Sequence, residues 1–124
     1  MLTESEVLGL FDQWNAALAT LDPDAVTALY TENGILLPTV SNQVRHNPEE
    51  IRDYFVAFLK KSPQGKIDEA NVRILSDTHA TNSGVYTFTF GDGSTVTARF
   101  SYLYVQTDGG WKIMQHHSSA MPEG

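Results

Sequence analysis

Apolar side chains recur at Val7, Leu10, Phe11, Trp14, Leu18 and Leu21, the three-and-four spacing of one helical face. Thr3-x-x-Glu6 just ahead of them has the form of a capping box, in which a hydroxyl and a carboxylate satisfy free amides at a helix start. Asp22-Pro23-Asp24 begins a second, short helix with apolar positions Ala25, Val26, Leu29 and Tyr30, and Asn33-Gly34 breaks it. Ile35-Leu36-Leu37, ended by Pro38, predicts an edge strand, and residues 39–46 a polar loop. Asn47-Pro48-Glu49-Glu50 opens a third helix whose stripe is Ile51, Tyr54, Phe55, Phe58 and Leu59, with Lys60 and Lys61 in its last turn. From Ile67 the period changes to two. Strands are predicted near 67–76, 79–90, 95–107 and 111–118, the last three separated by Gly91-Asp92-Gly93 and Asp108-Gly109-Gly110. Helices followed by an antiparallel meander predict an α+β fold with helices packed on one sheet face, as one domain over 1–124.

The strands alternate, yet neither face is plainly polar. A two-residue turn at Asp92-Gly93 would set Phe88 against Thr97 and Tyr86 against Arg99. Tyr86, Phe88, Phe90, Arg99, Leu103 and Val105 would then share one face, and Phe100, Tyr102 and Tyr104 the other. A sheet wet on one side should carry polar residues there. Helices can cover one aromatic face; a second copy of the chain is the simplest cover for the other. Phe100, Tyr102 and Tyr104 are therefore expected at a homo-oligomer interface.

Arg99 falls mid-strand among apolar neighbours, and a buried guanidinium needs a partner. Either it lines an anion pocket between sheet and helices beside Tyr86, or it forms an internal salt bridge to Glu32 or Asp12. His116 and His117, adjacent on a strand, point to opposite faces and cannot chelate one ion together. If Asp108-Gly109 is a two-residue turn, Arg99 lies opposite Ser118 and His116 shares its face; a three-residue turn would bring in His117 instead. The candidate pocket is thus Arg99, Tyr86, His116 and Ser118, with Trp14 and Tyr30 at core-facing helical positions, where packing is the simpler role.

Composition narrows the classes. The chain has 124 residues, eight Lys+Arg against fifteen Asp+Glu and a net charge of −7, which disfavours nucleic acid and anionic membranes as partners. There is no cysteine, which removes disulfides, zinc ribbons and thiol catalysis. Neither an 18-residue apolar run nor a basic-then-apolar leader is present, so a cytoplasmic protein is expected. No metal-binding spacing, Rossmann fingerprint, flavin signal or nucleophile elbow occurs, so neither metal nor cofactor is expected.

Several strings carry a resemblance. Trp14-Asn15-Ala16-Ala17-Leu18, the Asp22–Tyr30 helix, Leu36-Leu37-Pro38, Ile51-Arg52-Asp53-Tyr54-Phe55 and Gly109-Gly110-Trp111-Lys112-Ile113 with His116-His117-Ser118-Ser119-Ala120-Met121-Pro122 resemble the association (hub) domain of calcium/calmodulin-dependent protein kinase II. They are more similar still to its stand-alone bacterial relatives, the SgcJ/EcaC family. The resemblance spans roughly residues 3–122 and implies a cone-shaped fold of the nuclear-transport-factor-two-like superfamily, a curved sheet around helices with a pocket between. It implies self-assembly through the outer sheet face and an arginine-lined pocket for small carboxylates, in which Arg99 matches one arginine while Ser118 stands at another's position. Steroid isomerases of that superfamily place a carboxylate where this chain has Leu37, which cannot take a proton. The function implied is an oligomeric domain binding a small carboxylate or apolar ligand. The alternative is a cofactor-free lyase, isomerase or cyclase on a hydrophobic, polyketide-type carbonyl substrate, with His116 or His117 as base, Tyr86 as oxyanion donor and Arg99 holding a carboxylate.

Overall fold

The computed structural model describes residues 2–39 and 41–122. Helix α1 spans Glu4–Ala19 behind the expected capping box, with Thr3 accepting from the Glu6 amide and the Glu6 carboxylate accepting from the Thr3 amide. Its stripe buries Val7, Phe11, Trp14 and Leu18, whereas Leu21 lies beyond the helix end, exposed and at positive φ. Helix α2 is a single turn, Pro23–Thr27, capped by the Asp22 side chain. It ends before Tyr30, which opens strand β1, Tyr30–Leu37, rather than closing a helix. Helix α3, Pro48–Phe58, starts on Asn47, whose side-chain oxygen accepts from the Glu50 amide, and passes into a 3₁₀ turn over Leu59–Lys61.

Four long strands follow: β2 Gln64–Ile74, β3 His79–Thr89, β4 Thr95–Thr107 and β5 Gly110–Ala120. They form one sheet in the order β1-β5-β4-β3-β2. The meander β2–β5 is antiparallel, but β1 joins β5 in parallel, with Leu36 level with His116. The free edge of β1 is closed by a two-bond bridge between Leu36 and Arg45, which ties the 39–46 loop to the sheet. All three helices lie on one side, α1 over β2 and β3, α3 against β1. No helix among the described residues is long and apolar enough to cross a membrane.

The β3–β4 register overturns one expectation. Thr89 pairs with Thr95 and the Phe90 amide donates to the Ser94 carbonyl in the same register, so three residues, 91–93, rather than two make the turn, and Tyr86 sits opposite Ala98 rather than Arg99. That shift of one residue changes which strand faces coincide. Tyr86 and Phe88 share the inner, helix-covered face with Phe100, Tyr102 and Tyr104, all five of them buried core residues. Phe100, Tyr102 and Tyr104 are therefore not interface residues: they stack on Tyr86 and on one another beneath α1. Arg99 is turned outward and exposed.

Bulges bend the sheet on β2 between Ile67 and Glu69 and on β5 between Ile113 and Gln115, and the β1–β5 register also shifts between Tyr30 and Ile35. At the first, β2 and β3 approach so closely that a β-carbon on Gly84 would stand 1.9 Å from the Glu69 carbonyl oxygen. Backbone, unlike a side-chain tip, cannot step aside. Gly84→Ala is expected to cost about 1–3 kcal/mol through this overpacking, read as a lowered thermal midpoint; an unchanged midpoint would refute the close approach.

Candidate functional site

Strand β5 delivers His116 and Ser118 to the inner face, β3 delivers Tyr86, and α1 lays Trp14 across them. Tyr30, at the start of β1, reaches behind the imidazole. These side chains form one buried polar chain. Trp14 Nε1–H donates to the Tyr30 hydroxyl at 3.2 Å, and that hydroxyl lies 2.8 Å from His116 Nδ1. His116 Nε2 is 3.2 Å from the Tyr86 hydroxyl, which donates to Ser118 Oγ at 2.7 Å. Ser118 Oγ is in turn hydrogen-bonded to Thr39 Oγ1.

The imidazole is held by rings as well as by hydrogen bonds. It stacks on Tyr102 with centroids 4.1 Å apart and meets Trp14 edge-on at 5.5 Å. Burial, helped slightly by neighbouring His117, pushes the His116 pKa down to about 3, so the ring is neutral. Burial likewise raises the Tyr30 and Tyr86 hydroxyls well above the usual tyrosine value, and both stay protonated. A neutral imidazole has one donor and one acceptor nitrogen, and both are already engaged. His116 thus has no free lone pair with which to take a proton from a substrate.

Beside this chain opens a narrow slot, walled by Trp14, Phe55, Phe58, Tyr86, Phe88 and Ala98. Its half-buried rim is Pro38, Thr39, Tyr54, Phe90 and Val96. The volume open to the centre of a water molecule is about 30 Å³, room for one or two waters. No charged residue among the described residues lines it.

Of the residues expected in a pocket, Trp14, Tyr86, His116 and Ser118 converge here, and Tyr30 stands just behind, bonded to His116 but not lining the slot. Arg99 does not belong. It lies opposite Ser119 on the outer face, in a shallow depression with Ser101, His117, Asn71 and Glu69, and makes no ion pair among the described residues. An arginine-lined anion pocket and a buried salt bridge to Glu32 or Asp12 are both overturned by the register. The Asp108-Gly109 turn does have two residues, since Thr107 pairs with Gly110, but the β5 bulge shifts everything beyond it by one. His116 and Ser118 consequently face in with Tyr102 and Phe100, while His117 and Ser119 face out. Thr39, Tyr54 and Phe58 went unrecognised as slot residues. Tyr54 and Phe58 belong to a stripe visible in the sequence, but Thr39 follows Pro38 in a loop and carries no periodic signal.

The sequence model of the calcium/calmodulin dependent protein kinase II association domain family matches residues 3–122. A crystal structure from Xanthomonas campestris, provisionally named a calcium/calmodulin dependent protein kinase II association domain, is 51% identical, with 99% of this chain and 91% of that one covered at a TM-score of 0.94. At the level of fold alone, the chain is similar to an NTF2-like protein with a cystatin-like fold from Novosphingobium aromaticivorans (14% identity, 97% and 82% covered, TM-score 0.77). It is likewise similar to Aln2 from a Streptomyces species (15% identity, 97% and 94% covered, TM-score 0.82). No curated protein sequence matches significantly.

The buried chain predicts a pH dependence. Unfolded, His116 binds a proton below about pH 6.5; folded, it resists protonation down to about 3. Its contribution is therefore complete above pH 6.5 and lost as pH falls towards 3, at about 1.4 kcal/mol per pH unit. Denaturant titrations between pH 7.5 and 5, where carboxylates stay ionised, should show the wild type losing more stability than His116→Gln; parallel curves would contradict a buried neutral ring. Tyr30 and Tyr104 make a second test. Tyr30→Phe leaves Trp14 Nε1 and His116 Nδ1 unpaired and should cost about 1–3 kcal/mol. Tyr104→Phe removes a hydroxyl that has no partner among the described residues and should cost nothing measurable by the same titration.

Proposed function

The chain belongs to the calcium/calmodulin dependent protein kinase II association domain family, and on that footing we propose that it is a non-catalytic assembly domain: it pairs with copies of itself through the outer sheet face and holds a small apolar molecule in its inner slot. One observation carries the pairing. Strands β3, β4 and β5 contain no Asp or Glu at all, although the chain has fifteen. The outer side of these strands includes Val85, Thr87, Ser101, Leu103, His117 and Ser119, and among the described residues its side chains of fixed charge are Arg99 and Lys112. In an acidic protein a face meant for water would carry carboxylates, whereas charge depletion marks the centre of interfaces. No helix among the described residues packs on this face. These three strands, about 4.8 Å apart and some eleven residues long, present roughly 500 Å², enough for the centre of a standard interface of about 800 Å² per partner.

The slot supports the second half of the proposal. Its walls are aromatic and uncharged, which suits an apolar guest and rejects a carboxylate, since none of the described residues lining it is a cation that could pair with it. The double occupation of His116 weighs against an acid–base enzyme.

Native mass spectrometry at micromolar concentration is expected to give multiples of the 13.7 kDa chain. Ser101→Glu puts a carboxylate at the middle of the face in both copies of a symmetric pair. It should weaken association about 100-fold, some 2.7 kcal/mol, while Ser5→Glu on α1 leaves it unchanged. A monomeric wild type would refute the proposal.

A further inference from the structure

We infer that the inner slot selects neutral molecules carrying a hydrogen-bond acceptor, a ketone or aldehyde carbonyl being the plainest, because a hydroxyl hydrogen of the Ser118–Thr39 pair is left over at its rim. The inference deepens the proposed function and rests on the slot being a binding site. It follows from counting protons along the buried chain.

The Tyr86 hydroxyl gives its one hydrogen to Ser118, so it can only accept from His116 Nε2, and that fixes the direction of the chain back to Trp14, whose indole N–H can only donate. Tyr30 has one hydrogen, accepts from Trp14 and gives its own to His116 Nδ1. His116, neutral, must then carry its proton on Nε2 and donate it to the Tyr86 oxygen. Tyr86 spends its hydrogen on Ser118. Ser118 and Thr39 together own two hydroxyl hydrogens and share one contact, which uses one of them. Whichever of the two donates in that contact, the other's O–H has no acceptor among the described residues. Both side chains line the slot. Each bond upstream polarises the next in the same sense, so the terminal O–H is a better donor than an isolated hydroxyl.

The rest of the lining sets the class of guest. An anion would be buried without a cation, and an ammonium without a carboxylate, because no ionic side chain among the described residues borders the slot. A pure hydrocarbon fits the aromatic walls but leaves the terminal donor desolvated and unmet. A neutral carbonyl meets both conditions. With room for only a water or two as it stands, the slot admits a ring when the rim aromatics Tyr54 and Phe90 swing aside.

Four probes of similar shape separate the possibilities: acetophenone, ethylbenzene, benzoate and benzylammonium, each titrated into ¹⁵N-labelled protein while the Trp14 indole and Thr39 amide resonances are followed by NMR. Acetophenone should bind about five- to tenfold tighter than ethylbenzene, with benzoate and benzylammonium at least about 100-fold weaker than acetophenone. Thr39→Val with Ser118→Val places methyl groups over the buried end of the chain; it should abolish the preference for acetophenone while ethylbenzene still binds, which also reports that the variant is folded. If the variant does not fold, the wild-type ranking stands as the test. Ethylbenzene binding as tightly as acetophenone, or benzoate binding best, overturns the inference and leaves the slot a binding site. No response to any probe overturns the slot as a binding site and the inference with it.

Discussion

The amide of Phe90 donates to the carbonyl of Ser94 at 2.9 Å, and with that bond three residues, rather than two, turn the chain from β3 into β4. The Asp92 carboxylate stabilises the turn by accepting from both the amide and the hydroxyl of Ser94. Because side chains alternate, the parity of this turn decides which half of β4 faces the helices. With it, Phe100, Tyr102 and Tyr104 join Tyr86 and Phe88 in a single aromatic layer under α1 and α3. With the other parity, Arg99 would be driven into that layer. The core, the slot and the outer face all inherit their composition from one hairpin.

Local signals in the sequence were reliable wherever the physics is local. Thr3, Asp22 and Asn47 cap the helices expected of them, and the apolar stripes of α1 and α3 are the buried ones. Strand positions and the Asp108-Gly109 turn follow from composition and alternation. What alternation alone does not carry is parity between strands. It separates Tyr86 and Phe88 from Val85 and Thr87, and Phe100 and Tyr102 from Arg99 and Ser101, yet leaves open which sets meet. Choosing the shortest turn at Asp92-Gly93 paired them wrongly, and the apparent surplus of aromatic faces followed from that choice.

The site was half legible for the same reason. Trp14, Tyr30, Tyr86, His116 and Ser118 are all drawn into the buried chain, but as a neutral relay and not as the flank of an arginine. Thr39 owes its place to Pro38 and to the Leu36–Arg45 bridge that holds the following loop, contacts no periodicity encodes. The family matched over residues 3–122 fits this fold, while the uncharged slot distinguishes the chain from the arginine-lined pocket that its resemblance to kinase hubs implied.

The bulge on β5 has a bearing on length variation. Ile113 lies level with Tyr104 and Gln115 with Leu103, so Met114 is the odd residue in the ladder. Dropping it would straighten the strand and still leave His116 inside. Adding one residue between Gln115 and His116 would instead carry His116 to the outer face and set His117 where Ser118 now stands. Gaps are therefore cheap at this point of the chain and insertions are not: a homologue one residue longer here would be a protein with a different interior.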